Sequence, residues 1–416
     1  MASDVFRSLC LFPLLLLVFA CSKPDVPRGR FTDAPFILLE NGWIVDPALA
    51  AEPVRADILI HDGRIVKMDR QIAAVPNVTR IDVRGGYIVP GLWDMHAHLA
   101  VTSPLGNALE DYVSHGVLGV RDMGGRPEEL LEIRRAVNAG ERVGPTIYLA
   151  GPTLNGEASA DHHRMIATAQ DIRAAVVQLR AMEVDFIKIH RRVSREAFAE
   201  LMEVARRSGL RVSGHVPLAL KWDEAADAGM QTIEHIQALA ENEIEAGPDP
   251  VAATFAALNR LEDRRWSAIL AALLRSGTYW TPTLAFFQGS WSRDPPDRRL
   301  AKQRIYARLR PFVGAAAARG VPILAGTDIF ENRGAALHDE LQFLVEAGLT
   351  TRQALAAATT NPFSITGRGP GRIMPGAEAS LLVVRRNPLQ DIRNLRCIEF
   401  LLLRGVRQPP APCDRT

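Results

Sequence analysis

The sequence predicts an α/β protein, a (β/α)8 barrel of the TIM type with a small β-sandwich-like domain built from both termini. Three observations lead there. Between residues 91 and 365, eight short apolar runs alternate with stretches of helical spacing, the pattern of parallel βα units. That interval has the size of one barrel, which typically takes about 250 residues. On either side, residues 36–90 and 366–408 break into short β-like pieces separated by turns. Composition agrees: of 416 residues 47% are hydrophobic and 23% charged, as in an ordinary cored protein. The net charge of +2, without a basic block, argues against nucleic acid as a partner.

The chain opens differently. Residues 9–20, LCLFPLLLLVFA, form an uncharged apolar run after Arg7. It is too short to span a bilayer, which takes about 20 residues, and suits the apolar core of an export signal. Its end, Val18-Phe19-Ala20-Cys21, resembles the lipobox of bacterial lipoproteins. That resemblance implies a signal peptide over 1–20, a lipid on the Cys21 thiol, and a membrane-anchored protein in the periplasm or cell envelope. Val18 and Ala20 also satisfy an ordinary small-residue cleavage rule, which would give a secreted or periplasmic chain instead. Residues 21–35 read as a tether.

The β pieces of 36–90 are 37–46, 56–69 with an Asp62-Gly63 turn, and 80–90, all read as hairpin material in a small sheet. Matching pieces at 379–384 and 398–406 complete that layer, and 409–416 is a tail. Cys397 and Cys413 either pair in an oxidising compartment or stay free. Inside 91–365 the expected barrel strands are 92–98, 117–123, 146–151, 184–190, 211–216, 232–236, 279–284 and 322–328. Helical spacing is clearest at 127–140 and 194–209, and 240–265 leaves room for an inserted helix.

The chemistry lies in how those runs end. His96 and His98 close the first, Lys188 and His190 the fourth, His215 the fifth, His235 the sixth and Asp328 the eighth. In a barrel the C-terminal strand ends surround the active site. Side chains two apart on a strand share a side, so His96 and His98 face the same way. Imidazole nitrogens converging with a carboxylate are what zinc or a similar divalent ion requires. A lone strand histidine is more often a satisfied core residue; this ordered set is not so easily explained.

The segment VPGLWDMHAH (89–98), followed in order by Lys188, GHV (214–216), IEH (233–235) and AGTD (325–328), resembles the amidohydrolase superfamily. Residues 337–363 and 372–392 are similar to the closing segments of its imidazolonepropionase-like and prolidase-like branch, so the likeness runs over about 36–408. The resemblance implies two divalent ions, zinc first among them. His96, His98 and Asp328 would hold one ion, His215 and His235 the other, and Lys188 would bridge them as a carbamate. An ammonium has no place between two dications, whereas a carbamate offers an anionic oxygen to each. The implied reaction is attack on a carbonyl by a metal-bridging hydroxide, with Asp328 moving the proton to the leaving amine.

Substrate contacts are expected from the loops. His162 and His163 lie after the third run; adjacent histidines diverge, so at most one is expected to face the site. His190 stands where dipeptidase-like relatives commonly carry Tyr against the substrate carboxylate, and Arg191 follows with a guanidinium suited to a carboxylate. His338 reads as structural, and Ser380 replaces an Asp common in relatives. The leading expectation is a hydrolase of a C–N amide bond in a small molecule, an Xaa-Pro-like dipeptide or an N-acyl amino acid. Cyclic amide opening of the imidazolonepropionase kind and lactone or ester hydrolysis are alternatives. A non-catalytic, surface-anchored binding lipoprotein is the reading from another class, and a homo-oligomer stays open.

Overall fold

A computed structural model describes residues 36–49, 52–73, 76–101, 105, 107–245, 249–291 and 294–413. The expected signal peptide, the lipidated Cys21 and the tether lie outside the described residues.

The first and last described segments enter one eight-stranded sheet. Its order is Val406–Gln408, Ile398–Leu403, Leu381–Val384, Tyr87–Pro90, Phe36–Ile44, Val54–His61 and Arg64–Asp69, with Val78–Asp82 also paired to Phe36–Ile44. One face packs a core around Leu39, Ile58, Ile88, Leu381 and Phe400. The hairpin at Asp62-Gly63 forms as expected, with φ of 48° and 67°, the doubly positive pair of a type I′ turn. The stretch 80–90 is a correction. Its two strands do not pair with each other; Val78–Asp82 and Tyr87–Ile88 lie end to end, both parallel to Phe36–Ile44. The turn at Arg84-Gly85 realigns the chain along one neighbour instead of reversing it.

The remaining strands run parallel. Leu92–Ala97, Val117–Asp122 and Thr146–Leu149 form one sheet. His163–Met165, Thr153–Asn155, Ile187–Ile189, Val212–Gly214, Thr232–Glu234 and Tyr279–Thr281 form a second. Backbone hydrogen bonds connect the two: Asp185 N donates to Leu149 O (2.9 Å), Leu324 N to Trp280 O (2.9 Å) and Met95 N to Ala325 O (2.8 Å). The expected eighth strand is another correction. Residues 322–328 make only an isolated bridge, Ile323 to Trp280, because Pro322 has no N–H and Asp328 turns to a positive φ. The third loop also holds more structure than expected, since His163–Met165 pairs with Thr153–Asn155.

Helices between the strands follow the apolar spacing. Arg195–Ser208 is capped by the Ser194 hydroxyl, which accepts from Ala197 N (3.1 Å), and ends on left-handed Gly209. It buries Ala197, Phe198, Leu201 and Ala205 along one stripe. The insertion after the sixth strand is a pair of helices, Pro250–Arg260 and Trp266–Ser276, joined by a π-helical turn. Cys397 and Cys413 are disulfide-bonded.

The two terminal segments are locked together at a pair of turns. Gly63 O accepts from Ala379 N (2.8 Å), Ala379 O accepts from Gly405 N (2.8 Å), and a Cβ at Gly63 would lie 2.8 Å from Arg404 O. Gly63→Ala therefore combines a left-handed backbone with a backbone clash. Urea denaturation should show a loss of about 1–3 kcal/mol; an unchanged midpoint would contradict this packing.

Candidate metal centre

The six residues singled out at strand ends meet. His96 belongs to Leu92–Ala97 with His98 just past it, Lys188 is the middle of Ile187–Ile189, and His215 and His235 each follow a strand by one residue. All six, Asp328 included, line one cavity of about 290 Å³. Asp328 and His235 take φ values of 55° and 70°, conformations that non-glycine residues rarely adopt. Backbone hydrogen bonds hold both there: Asp328 N donates to His96 O and His235 N to Thr281 O, each at 2.8 Å.

Asp328 Oδ1 is 3.4 Å from His98 Nε2 and 3.8 Å from His96 Nε2. One ligand atom from each of these three residues lies within 4.8 Å of the others. The His235 ring centroid is 4.7 Å from His96 and 4.4 Å from His215. The His96 Nδ1–H donates to Glu234 Oε2 (2.9 Å) and the His98 Nδ1–H to Gly124 O (2.7 Å). A carboxylate and a carbonyl can only accept, so each neutral ring keeps its lone pair on Nε2, the atom facing Asp328. Burial lowers the pKa of His96, His98, His215 and His235, His98 to about 3, so that they stay unprotonated.

Lys188 is 2% exposed, and its amine has no hydrogen bond or ion pair with a described residue. Burial pushes it down to about 8. Burial likewise pushes the Asp328 carboxyl up to about 7. Unprotonated imidazoles with fixed tautomers, a carboxylate and a depressed amine form a donor set that fits divalent cations.

Sequence reasoning missed the residues beneath this layer. Glu234 is fully buried and bound to Arg121 Nη2 (2.8 Å). Arg121 also donates to Met95 O (2.6 Å), Thr232 Oγ1 (2.8 Å) and Thr281 Oγ1 (3.2 Å), tying four strands to one guanidinium. Asp94 Oδ1 accepts from His96 N and Thr327 N, both at 3.0 Å, and its Oδ2 accepts from the Thr327 hydroxyl (2.6 Å). It thereby clasps the first strand to the turn that presents Asp328. A signal existed: Asp94, Arg121 and Glu234 are charged residues inside apolar runs, where an unpaired charge is rarely found.

His162, His163, His190 and Arg191 line the same cavity. The expectation that at most one of His162 and His163 faces it is corrected. Both do, with rings 4.7 Å apart and nearly perpendicular, because the strand starting at His163 turns the backbone between them. Their Nδ1 atoms are held by Asp161 (3.2 Å) and the Ser159 hydroxyl (2.9 Å). Arg191 lies 3.7 Å from Glu241. Gln237 and Phe286 join the lining without having been singled out. His338 is away from the cavity, buried on a helix with Nε2 donating to His115 O (2.8 Å).

Parallel strands whose ends gather a His-His-Asp cluster define a TIM-barrel-like hydrolase architecture, and the comparisons agree. The amidohydrolase family model matches residues 87–406, so the chain belongs to the amidohydrolase family and is a hydrolase acting on carbon–nitrogen bonds. Among curated relatives, ochratoxinase of Aspergillus niger is 26% identical over 412 residues, covering 82% of this chain and 80% of that protein. A crystal structure of an amidohydrolase superposes with a TM-score of 0.74 at 23% identity, covering 90% of this chain and 99% of that one. A prolidase complexed with N-methylphosphonate-L-proline gives 0.71 at 22%, covering 90% and 100%.

Replacing Arg121 by Met would strand the Glu234 carboxylate in the core. Breaking a buried pair in this way costs about 3–5 kcal/mol, to be read from chemical denaturation. The same variant should bind zinc more weakly, since Glu234 orients His96; wild-type zinc affinity would refute that coupling.

Proposed function

We propose that this protein is a metal-dependent amidase of the prolidase-like kind, hydrolysing the C–N bond of a small substrate that carries a carboxylate on its amine half. One observation carries the reading: side chains from four strand ends and the 325–328 turn, with their imidazoles unprotonated, converge on one cavity. Prolidase and ochratoxinase among the similar proteins support the bond type. The interstrand hydrogen bonds support closure of the parallel strands into a barrel with the 322–328 segment in the eighth place, and the shared terminal sheet supports a small β domain beside it.

His96, His98 and Asp328 would hold one divalent ion, His215 and His235 a second, and carboxylation of the Lys188 amine by carbon dioxide would supply an anionic bridge. A buried amine with no hydrogen bond to a described residue supports that last assignment. When bound, such ions acidify water and polarise a carbonyl oxygen. Asp328 moves the proton: its carboxylate takes one from the attacking water and passes it to the departing nitrogen, which cannot leave as an anion. The tautomers set by Glu234 and Gly124 would leave the Nε2 lone pairs of His96 and His98 to the ion. On the far side of His215, His190 and His163 offer ring N–H groups and Arg191 a guanidinium to the substrate carboxylate, beside His162, whose Nδ1–H goes to Asp161.

We also propose export and lipid anchoring at Cys21. The Cys397–Cys413 disulfide supports an oxidising compartment. Cell fractionation should find the protein with membranes and Cys21→Ser in the soluble fraction; equal partition of the two would refute the anchor.

For the chemistry, a panel of dipeptides, N-acyl amino acids, esters and lactones tested with zinc and bicarbonate should show amide turnover. Asp328→Asn should keep at least one metal per chain by elemental analysis while losing about 10³-fold or more in kcat, as removal of a proton-transfer group does. Full activity in that variant, or turnover of esters and lactones only, would overturn the reading.

A further inference from the structure

The segment from Thr327 to Gly334, which carries Asp328, is strained. Asp328 and Asn332 both take left-handed backbone, with φ of 55° and 48°. Residues other than glycine keep that conformation only where their surroundings enforce it. Asp94 holds the inner end, binding the N–H and the hydroxyl of Thr327 with its two carboxylate oxygens. The outer end needs a hold of its own. The helix that follows, Arg333–Glu346, begins without help from its own cap residue, since the Asn332 side chain makes no capping hydrogen bond.

Another helix supplies the hold. Asp111 belongs to Ala108–Ser114 and is not among the residues lining the cavity. Its Oδ2 accepts from Gly334 N (2.9 Å), and Arg333 N also donates to this carboxylate. An anion at a helix N-terminus satisfies free N–H groups and complements the helix dipole. Burial works against ionisation of Asp111, but hydrogen bonds from His115, Gly334 and Arg333 outweigh it and hold the carboxyl below its usual range. The two helices are also fixed in register. His338 Nε2 donates to His115 O (2.8 Å), and a Cβ on Gly334 would lie 2.5 Å from Asp111 O.

Two residues of the capped helix reach back toward the metal centre. Arg333, 4% exposed, donates from Nε to Phe330 O (3.0 Å), inside the strained segment. Fully buried Glu340 accepts from Ala285 N (2.7 Å), next to the turn where the Thr283 hydroxyl pairs with His235 Nδ1 (2.9 Å). The helix is thus tied to the Asp328 side and to the His235 side together, and it has no freedom to slide.

We infer that Asp111 is a positioning residue for the metal centre: by capping helix 333–346 from outside, it holds the 328–332 turn in place and aims the Asp328 carboxylate at His96 and His98. Without the cap the turn relaxes toward ordinary backbone and Asp328 swings away from the two histidines. The effect on turnover rests on the amidase reading; the aim of the carboxylate does not.

The test uses full-length protein, loaded with zinc for kinetics and with cobalt for spectroscopy, because the visible absorption of cobalt reports its ligand geometry. Asp111→Ala should keep its metal content by elemental analysis and show altered cobalt bands. On the amide identified by the substrate panel, its kcat should fall about tenfold or more with KM within about twofold, as expected when a reacting group is displaced but binding is not. Asp111→Asn keeps a neutral acceptor for Gly334 N and should fall between wild type and Asp111→Ala in both readouts. Asp339→Asn breaks an exposed pair with Arg396 (2.6 Å) on the same helix and should change neither, which controls for lost stability. Unaltered bands and kcat in Asp111→Ala, with only thermal stability lowered, would overturn the inference. If that variant does not fold, wild-type bands and kcat in Asp111→Asn would overturn it instead. Absence of hydrolysis across the whole panel would remove the amidase reading, and the cobalt bands would still decide whether Asp111 places Asp328.

Discussion

The centre depends on neutral imidazoles whose inner nitrogens are already committed. Glu234 takes the Nδ1–H of His96, and the Gly124 carbonyl takes that of His98. With that hydrogen spoken for, the outer lone pair has one direction left, toward Asp328. Each acceptor is fixed in turn. Glu234 is held by Arg121, and Gly124 is placed by the Asp122 carboxylate, which accepts from Gly124 N (2.9 Å) and Leu99 N (2.6 Å). Rigid support of this sort, deep in a protein, is what gives a metal-binding constellation its geometry.

Such an arrangement is costly to fold without ions. Arg121, Glu234, Asp94, Asp122 and Lys188 are all nearly or wholly buried. Burial raises the Asp94 and Asp122 carboxyls to about 6, opposed by hydrogen bonds from neighbouring backbone and Thr327 and by the charges of Arg333 and Lys188. Two residues, His235 and Asp328, also sit in left-handed backbone. Polar burial and backbone strain gathered at one end of a well-packed core mark where function has overridden stability.

Much of this was legible beforehand. The apolar runs located the parallel strands because a strand covered on both faces must be apolar nearly throughout. The spacing of His96 and His98, and the habit of ending runs in His, Lys or Asp, marked the cavity. What escaped was of two kinds. The 80–90 stretch contains two strands and a turn, yet local text cannot distinguish a hairpin from two pieces sharing one parallel neighbour. The inner polar residues stood out only as charges within apolar runs, and their partners were illegible, since Arg121 and Glu234 meet Thr232, Thr281 and Met95 only in the folded chain. Ring neighbours such as His163 and His190, or Phe330 and His98, are far apart in the chain and carry no joint pattern.

The sequence alone therefore determined most element types, their order and the ligand-type residues, because periodicity, turn chemistry and residue identity are local properties. Tertiary structure decided the rest: which nitrogen each imidazole presents, which charges pair in the core, and that both His162 and His163 reach the cavity. Those outcomes depend on distances between segments as much as 233 residues apart, and such distances exist only after the chain has closed on itself.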